Sequence, residues 1–154
     1  MLITIHVLSG ALLGAATGRA QAALPLGVAS HFALDAAPHW GKWDSDRHFL
    51  RVAVADGLSG LAVMAAAAAL APRDQRAAVV AGMVGAALPD LDKPARLAFG
   101  RSPFPKAVDD FHGRIQDEAP HRFLSHELPT GLLFAAAYGA ACLIRRGARR
   151  RARA

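Results

Sequence analysis

The stretch FLRVAVADGLSGLAVMAAAAALA, residues 49–71, decides the fold class. Apart from Arg51 and Asp56 near its start it is apolar nearly all round, and Pro72 ends it. A helix lying on a protein surface carries an apolar stripe and a polar back; one that is apolar on every side is buried in protein or in lipid. A membrane-spanning helix needs roughly 20 such residues, and this stretch is long enough.

Working outward, four more segments read as helices: residues 3–17, 22–37, 75–88 and 128–144. Pro38 and Pro89 end the second and fourth of the five, because proline disfavours helical backbone at the residue before it. Alternating β-branched runs do not occur, so strands are not expected. The last segment is near the lower limit for a span, and the first, second and fourth are short. Gly10, Gly14 and Gly18 recur at four-residue spacing, which suits close helix packing. An alanine-rich soluble bundle would share that spacing, but the third and fifth segments favour a membrane. The expectation is an all-α, small integral membrane bundle of about five helices with a polar loop, residues 93–127, between the fourth and fifth. That loop is expected to hold a short amphipathic helix near 108–115, with Val108, Phe111 and Ile115 on one face. With 154 residues the chain suits one domain: residues 1–144 embedded in the membrane, and residues 145–154 a basic tail.

The net charge is +6, and Arg145, Arg146, Arg149, Arg150, Arg151 and Arg153 crowd the end of the chain. Placed directly after an apolar run, they read as a cytoplasmic anchor. No aromatic residue interleaves them, so nucleic acid is not an expected partner; membrane lipid is. With a cytoplasmic C-terminus and five alternating segments, Arg19, Arg73 and Arg76 fall on the cytoplasmic side. His6, residues 31–39, Asp90, Asp92 and the polar loop fall on the other. Residues 2–16 have the length of a signal-peptide core, and Ala20-Gln21-Ala22 looks like a cleavage site. No Lys or Arg precedes the run, however, and cleavage would remove His6, so the segment is expected to be retained. Cys142 is the one cysteine; it rules out an internal disulfide or a Cys-rich zinc site and reads as apolar filler.

Histidines and aspartates gather at the ends of the apolar segments. His31 and Asp35, four residues apart, share one face of a helix, and His39 follows Pro38 just beyond it. Asp90 and Asp92 flank one residue after the fourth segment, where both carboxylates can face one cation. His121 and His126 bracket Arg122 and Ser125 before the fifth. Each group alone is explained by an ordinary helix end or solvated turn; in an alternating bundle all of them, with His6, land on one side. Converging imidazoles and carboxylates are what a divalent metal needs, and zinc is the expected ion. The expected ligands are His31, Asp35, Asp90 and His126, extended by His6 and His39. Asp92 is placed with the catalytic groups, and Arg122 is expected to hold an anionic phosphate. Asp56 is either functional or a partner for Arg51 or His48. His48 and His112 carry no motif and read as surface residues.

Three of these motifs, His6-Val7-Leu8-Ser9-Gly10, Pro89-Asp90-Leu91-Asp92-Lys93-Pro94 and His121-Arg122-Phe123-Leu124-Ser125-His126, resemble those of the membrane-bound metal-dependent hydrolases. These are the LexA-regulated hydrolases associated with the bacterial inner membrane. His31 and Asp35 resemble that family's His-x3-Asp motif, although here it precedes the Pro-Asp pair, and Lys93 stands where many relatives have a histidine. Residues 31–39 are also similar, with altered spacing, to a helix motif of zinc-dependent phospholipase C. The resemblance implies an inner-membrane, metal-dependent hydrolase. The residues themselves suggest hydrolysis of a phosphoester, with a lipid headgroup among the candidates, through a metal-activated water. A membrane protein with a structural metal and a metal or proton transporter are the other classes. No Ser-His-Asp or Cys-His nucleophile pattern competes with a metal centre.

Overall fold

A computed structural model describes residues 1–152; Arg153 and Ala154 of the basic tail lie outside the described residues. Five longer helices dominate: α1 (Ile3–Thr17), α2 (Ala20–Asp35), α3 (Asp46–Leu70), α4 (Arg76–Ala87) and, after two short ones, α7 (Leu128–Arg151). The short helices are α5 (Asp92–Phe99) and α6 (Lys106–Ile115). A 3-10 turn over Leu88–Leu91 joins α4 to α5, and a π turn over Phe123–Glu127 leads into α7. One parallel pairing of two two-residue strands, His39↔Glu118 and Trp40↔Ala119, is the strand content of the described residues. The fold is therefore an all-α bundle, as the apolar runs predict. Two details differ from expectation: residues 92–99 form a helix, and α7 continues through the first arginines without a break.

Helix α1 is the centre of the bundle, in contact with α2, α3, α4 and α7. It runs antiparallel to α4, since a side chain on Gly10 would meet Gly82, and one on Gly14 would meet Ala78 and Val79. Gly27 of α2 also faces the carbonyl of Gly82. At Gly10, Gly27 and Gly82 even a methyl group would collide with backbone, so three helices meet main chain to main chain. The four-residue glycine spacing is thus explained for Gly10 and Gly14. Gly18 does something different: it ends α1 in the left-handed conformation, φ 63°, donating to the Gly14 carbonyl at 2.9 Å.

The apolar core is built mostly of small side chains, Val7, Ala11, Ala15, Ala67, Ala71 and Val79, around Met83, Tyr138 and Cys142. Cys142 is buried filler as expected. The Tyr138 hydroxyl donates to the Ala67 carbonyl at 2.6 Å and ties α7 to α3. At the far end Arg146 donates to the Leu70 carbonyl at 2.9 Å, and Arg149 pairs with Asp74.

Helix α3 and the stretch Phe123–Arg149 are long and apolar enough to cross a membrane. Only 11% and 17% of their apolar windows, respectively, are buried in the protein. Leu58, Leu61, Leu132, Leu133, Leu143 and Ile144 are all exposed. Side chains like these, contiguous over two helices, make an apolar surface far larger than a water-facing one carries. By contrast α4, with 12 residues, reaches only about 18 Å, short of a hydrocarbon core about 30 Å thick.

Candidate metal centre

The N-terminus of α1 and the C-termini of α2 and α4 meet at one end of the bundle, and α6 closes over them. His31 and Asp35 stack one turn apart on α2, so the i,i+4 spacing carries directly into geometry: Nε2 of His31 lies 3.1 Å from Oδ2 of Asp35. The 3-10 turn after α4 brings Asp90 Oδ1 to 3.7 Å from His31 Nε2. His112 of α6 comes from the opposite side, its Nε2 2.8 Å from Asp35 Oδ2 and 3.1 Å from His31 Nε2. One donor atom from each of His31, Asp35, Asp90 and His112 lies within 4.8 Å of the others. His6 of α1 stacks on the His31 ring at 3.9 Å, and its Nε2 is 3.1 Å from Asp35 Oδ1.

The hydrogen bonds show that these donors suit a cation. His31 Nδ1 lies 2.8 Å from the Ala86 carbonyl oxygen, which can only accept, so this nitrogen carries the ring proton. In the neutral ring Nε2 then presents a bare lone pair to the Asp35 carboxylate and to His112. His112 can add one proton at most to that meeting point. Asp35 already has partners besides these rings, the Met1 ammonium at 2.8 Å from Oδ1 and the Gln116 amide donating to Oδ2 at 2.8 Å. The buried His31 lone pair facing this carboxylate is the acceptor that a cation would satisfy. An imidazole oriented by a backbone carbonyl on its other nitrogen is also the usual arrangement of a metal-ligating histidine. Three further buried atoms near these groups make no hydrogen bond, His6 Nδ1, Asp92 Oδ1 and Gln116 Oε1, although Asp92 Oδ1 lies 3.6 Å from the Lys93 ammonium. The residues present therefore fit a divalent metal of the zinc type, with nitrogen and oxygen ligands.

A pocket of about 210 Å³ opens beside the cluster, bordered by Asp35, Asp92, Lys93, Arg96, His112 and Glu118 among others. Lys93 bonds Asp90 Oδ1. Burial alone would push the Asp90 carboxyl up, but the Lys93 ammonium, ahead of His31 and His6, holds it below the usual carboxylate range. Burial alone would likewise push Lys93 down, and Asp90 outweighs this and raises it above the usual lysine value. Asp90 is therefore ionised at neutral pH, the form a metal binds. Arg96 reaches Asp109 at 2.5 Å and Asp92 at 3.7 Å, so a second cation borders the pocket.

Of the residues expected from the sequence, His31, Asp35 and Asp90 converge, His6 touches the cluster through Asp35, and Asp92 borders the pocket. Three do not join. His126 sits in the π turn, its Nδ1 2.8 Å from Ser125 Oγ, and is not among the converging donors. His39 is buried but bonds the Ala37 carbonyl through Nδ1, with Nε2 3.7 Å from Glu118 Oε1. Arg122 is engaged elsewhere, donating to the Asp117 carbonyl at 2.6 Å and its carboxylate at 2.7 Å.

His112, expected at the surface, is buried instead. Its signal was present: Val108, Phe111, His112 and Ile115 follow the i, i+3, i+4, i+7 pattern of a single helix face. Phe111 packs on Phe32 of α2, ring centres 5.3 Å apart, and so seats α6 with its histidine inward. Asp56 pairs with neither Arg51 nor His48. It accepts from the backbone N–H of Ile3 at 2.6 Å and of Thr4 at 3.1 Å, capping α1 from a neighbouring helix. Glu127, which no sequence pattern singles out, does the same for Leu2 N–H at 2.5 Å and also accepts from Trp40 N–H at 3.0 Å.

Fold and site together define a class: a small all-α membrane protein with a cluster of metal-type donors at one end of its bundle. The chain belongs to the YdjM inner membrane protein family, whose family model matches residues 54–152. The matched stretch includes Asp90, Asp92 and His112, whereas His6, His31 and Asp35 precede it. No curated protein and no solved structure matches the chain.

Proposed function

We propose that this protein is a membrane-bound, metal-dependent hydrolase that cleaves a phosphoester, with a lipid headgroup as the favoured substrate class. The observation that carries this reading is the His31 Nε2 lone pair, aimed at Asp35 and His112 beside a pocket that opens outward. His31, Asp35, Asp90 and His112 hold the ion, and His6 orients Asp35. A bound zinc supplies Lewis acidity and lowers the pKa of a water to near neutrality. Asp92, whose Oδ1 accepts no hydrogen bond and lies 3.6 Å from the Lys93 ammonium, accepts a proton from the attacking water. Lys93 and Arg96 offset the charge of the phosphoryl group, the role the sequence alone assigned to Arg122. The pocket is bordered by several carboxylates and three cations, Lys93, Arg96 and the Met1 ammonium that pairs with Asp35, and admits a small anion once the metal is in place.

The arginine-rich end of α7 lies in the cytoplasm in this reading, and the metal pocket faces the periplasm. A reporter fused after Ala154 is expected to read cytoplasmic, and one inserted near Pro103 periplasmic. Both on one side would refute the alternating arrangement.

For activity, the metal-loaded protein is expected to hydrolyse phosphoesters in a screen of lipids and nucleotides, and a chelator to stop it. Arg96→Ala should leave metal content unchanged and lower turnover by roughly 10²-fold, the usual cost of one transition-state donor. No turnover, together with an ion closed off by protein ligands, would instead make the metal structural.

A further inference from the structure

A second concavity lies on the other side of α1, and the metal-site reading makes no use of it. It is a groove of about 810 Å³ between α3 and α7, the two helices long and apolar enough to span a membrane. Leu8 forms part of its floor, and Val52 and Leu132 part of its walls; Arg51, His48 and Trp40 stand around it. From Arg51 to Ser59 the α3 wall runs about 12 Å at the α-helical rise. We infer that this groove is a binding site for one acyl chain of an anionic membrane lipid, whose headgroup is held by Arg51.

The charge pattern argues for this occupant. Two carboxylates border the groove, Asp56 and Glu127, and both are engaged by backbone N–H groups of the α1 region. Arg51 is exposed and forms no ion pair among the described residues. A cation without a partner, at the head of an apolar furrow between lipid-facing helices, complements an anionic headgroup with its chain below. Trp40, Trp43 and Phe123 cluster nearby, with ring centres 4.6 Å and 4.9 Å apart, an amphipathic group of the kind found where a bilayer meets water. A protein partner seated there would need its own carboxylate for Arg51 and would have to displace lipid from both helices. This inference does not depend on hydrolysis.

The chain has two tryptophans, Trp40 and Trp43, so fluorescence reads the groove directly. In a Trp43→Phe background, the full-length protein is placed in phosphatidylcholine nanodiscs containing either brominated phosphatidylglycerol or brominated phosphatidylcholine. Trp40 is expected to be quenched preferentially by the anionic lipid. Arg51→Gln should weaken that preference about fivefold, the ratio one cationic side chain contributes near an anionic surface. Arg51→Lys should retain most of it. Ala135→Phe, which fills the groove, should reduce quenching by either lipid, while far-UV circular dichroism reports that the bundle is intact. Equal quenching by both lipids, unchanged by Arg51→Gln, would overturn the inference and leave ordinary annular lipid. Absence of quenching together with a stable dimer would overturn it in favour of a second copy of the chain.

Discussion

If the proposed site binds zinc, replacing His112 with alanine is expected to abolish that binding while leaving the bundle folded. Its Nε2 lies 2.8 Å from Asp35 Oδ2 and 3.1 Å from His31 Nε2, at the centre of the converging donors. Loss of an outer hydrogen-bond partner typically lowers metal affinity about 10–100-fold, and loss of a ligand costs at least the upper end of that range. The Phe111–Phe32 contact keeps α6 docked on α2, so the fold survives the change. Zinc content and competition with a chromophoric chelator measure the effect. His126→Ala is the contrast, and is expected to keep its zinc because that ring lies outside the cluster. Full zinc content in His112→Ala, or zinc loss in His126→Ala, would show that the donors are wrongly assigned.

The second large effect is expected at Glu127 and concerns stability. Its carboxylate is buried and accepts two backbone N–H bonds, from Leu2 at 2.5 Å and Trp40 at 3.0 Å. Glu127→Ala leaves both amides without a partner. Hydrogen bonds to a charged group contribute about 1.5–3 kcal/mol each, so a loss of about 3–6 kcal/mol is expected. Glu127→Gln keeps a carbonyl acceptor for one of the two amides and should lose about half as much. Unfolding in mixed micelles, followed by circular dichroism, gives both values. Equal stability of wild type and Glu127→Ala would mean that the π turn does not anchor the start of α1. The π turn is the device that points Glu127 inward: Leu128 N–H bonds the Phe123 carbonyl five residues back, so the next helix begins out of register with the turn before it.

Much of the bundle was legible in the chain because its signals are local. The apolar runs and the prolines that close them place the five main helices, with α1 found at its expected bounds, residues 3–17. The first arginines prolong α7 instead of ending it, since arginine is a good helix former and no glycine or proline intervenes until Gly147. Lys93, Pro94 and their neighbours read as loop, yet they form α5. Proline is tolerated in the first turn of a helix, where its missing N–H is not needed.

The candidate site divides along the same line. His31 and Asp35 pair because four residues make one helical turn, whatever surrounds them, and Asp90 follows as the end of the next helix on the same side. These positions follow from the sequence by itself, as do the all-α class and the two lipid-exposed helices. Which histidine completes the cluster was decided by tertiary structure. His112 lies within the short loop helix and His126 just before the last helix, and only the seating of α6 on α2 brings one of them to Asp35. The roles of Asp56 and Glu127 were likewise invisible in the chain. Each is a single acid near an apolar run, and what fixes its task is the start of α1, more than fifty residues away for one and more than a hundred for the other. Local periodicity sets which face a residue occupies, but only packing between distant segments sets what that face meets.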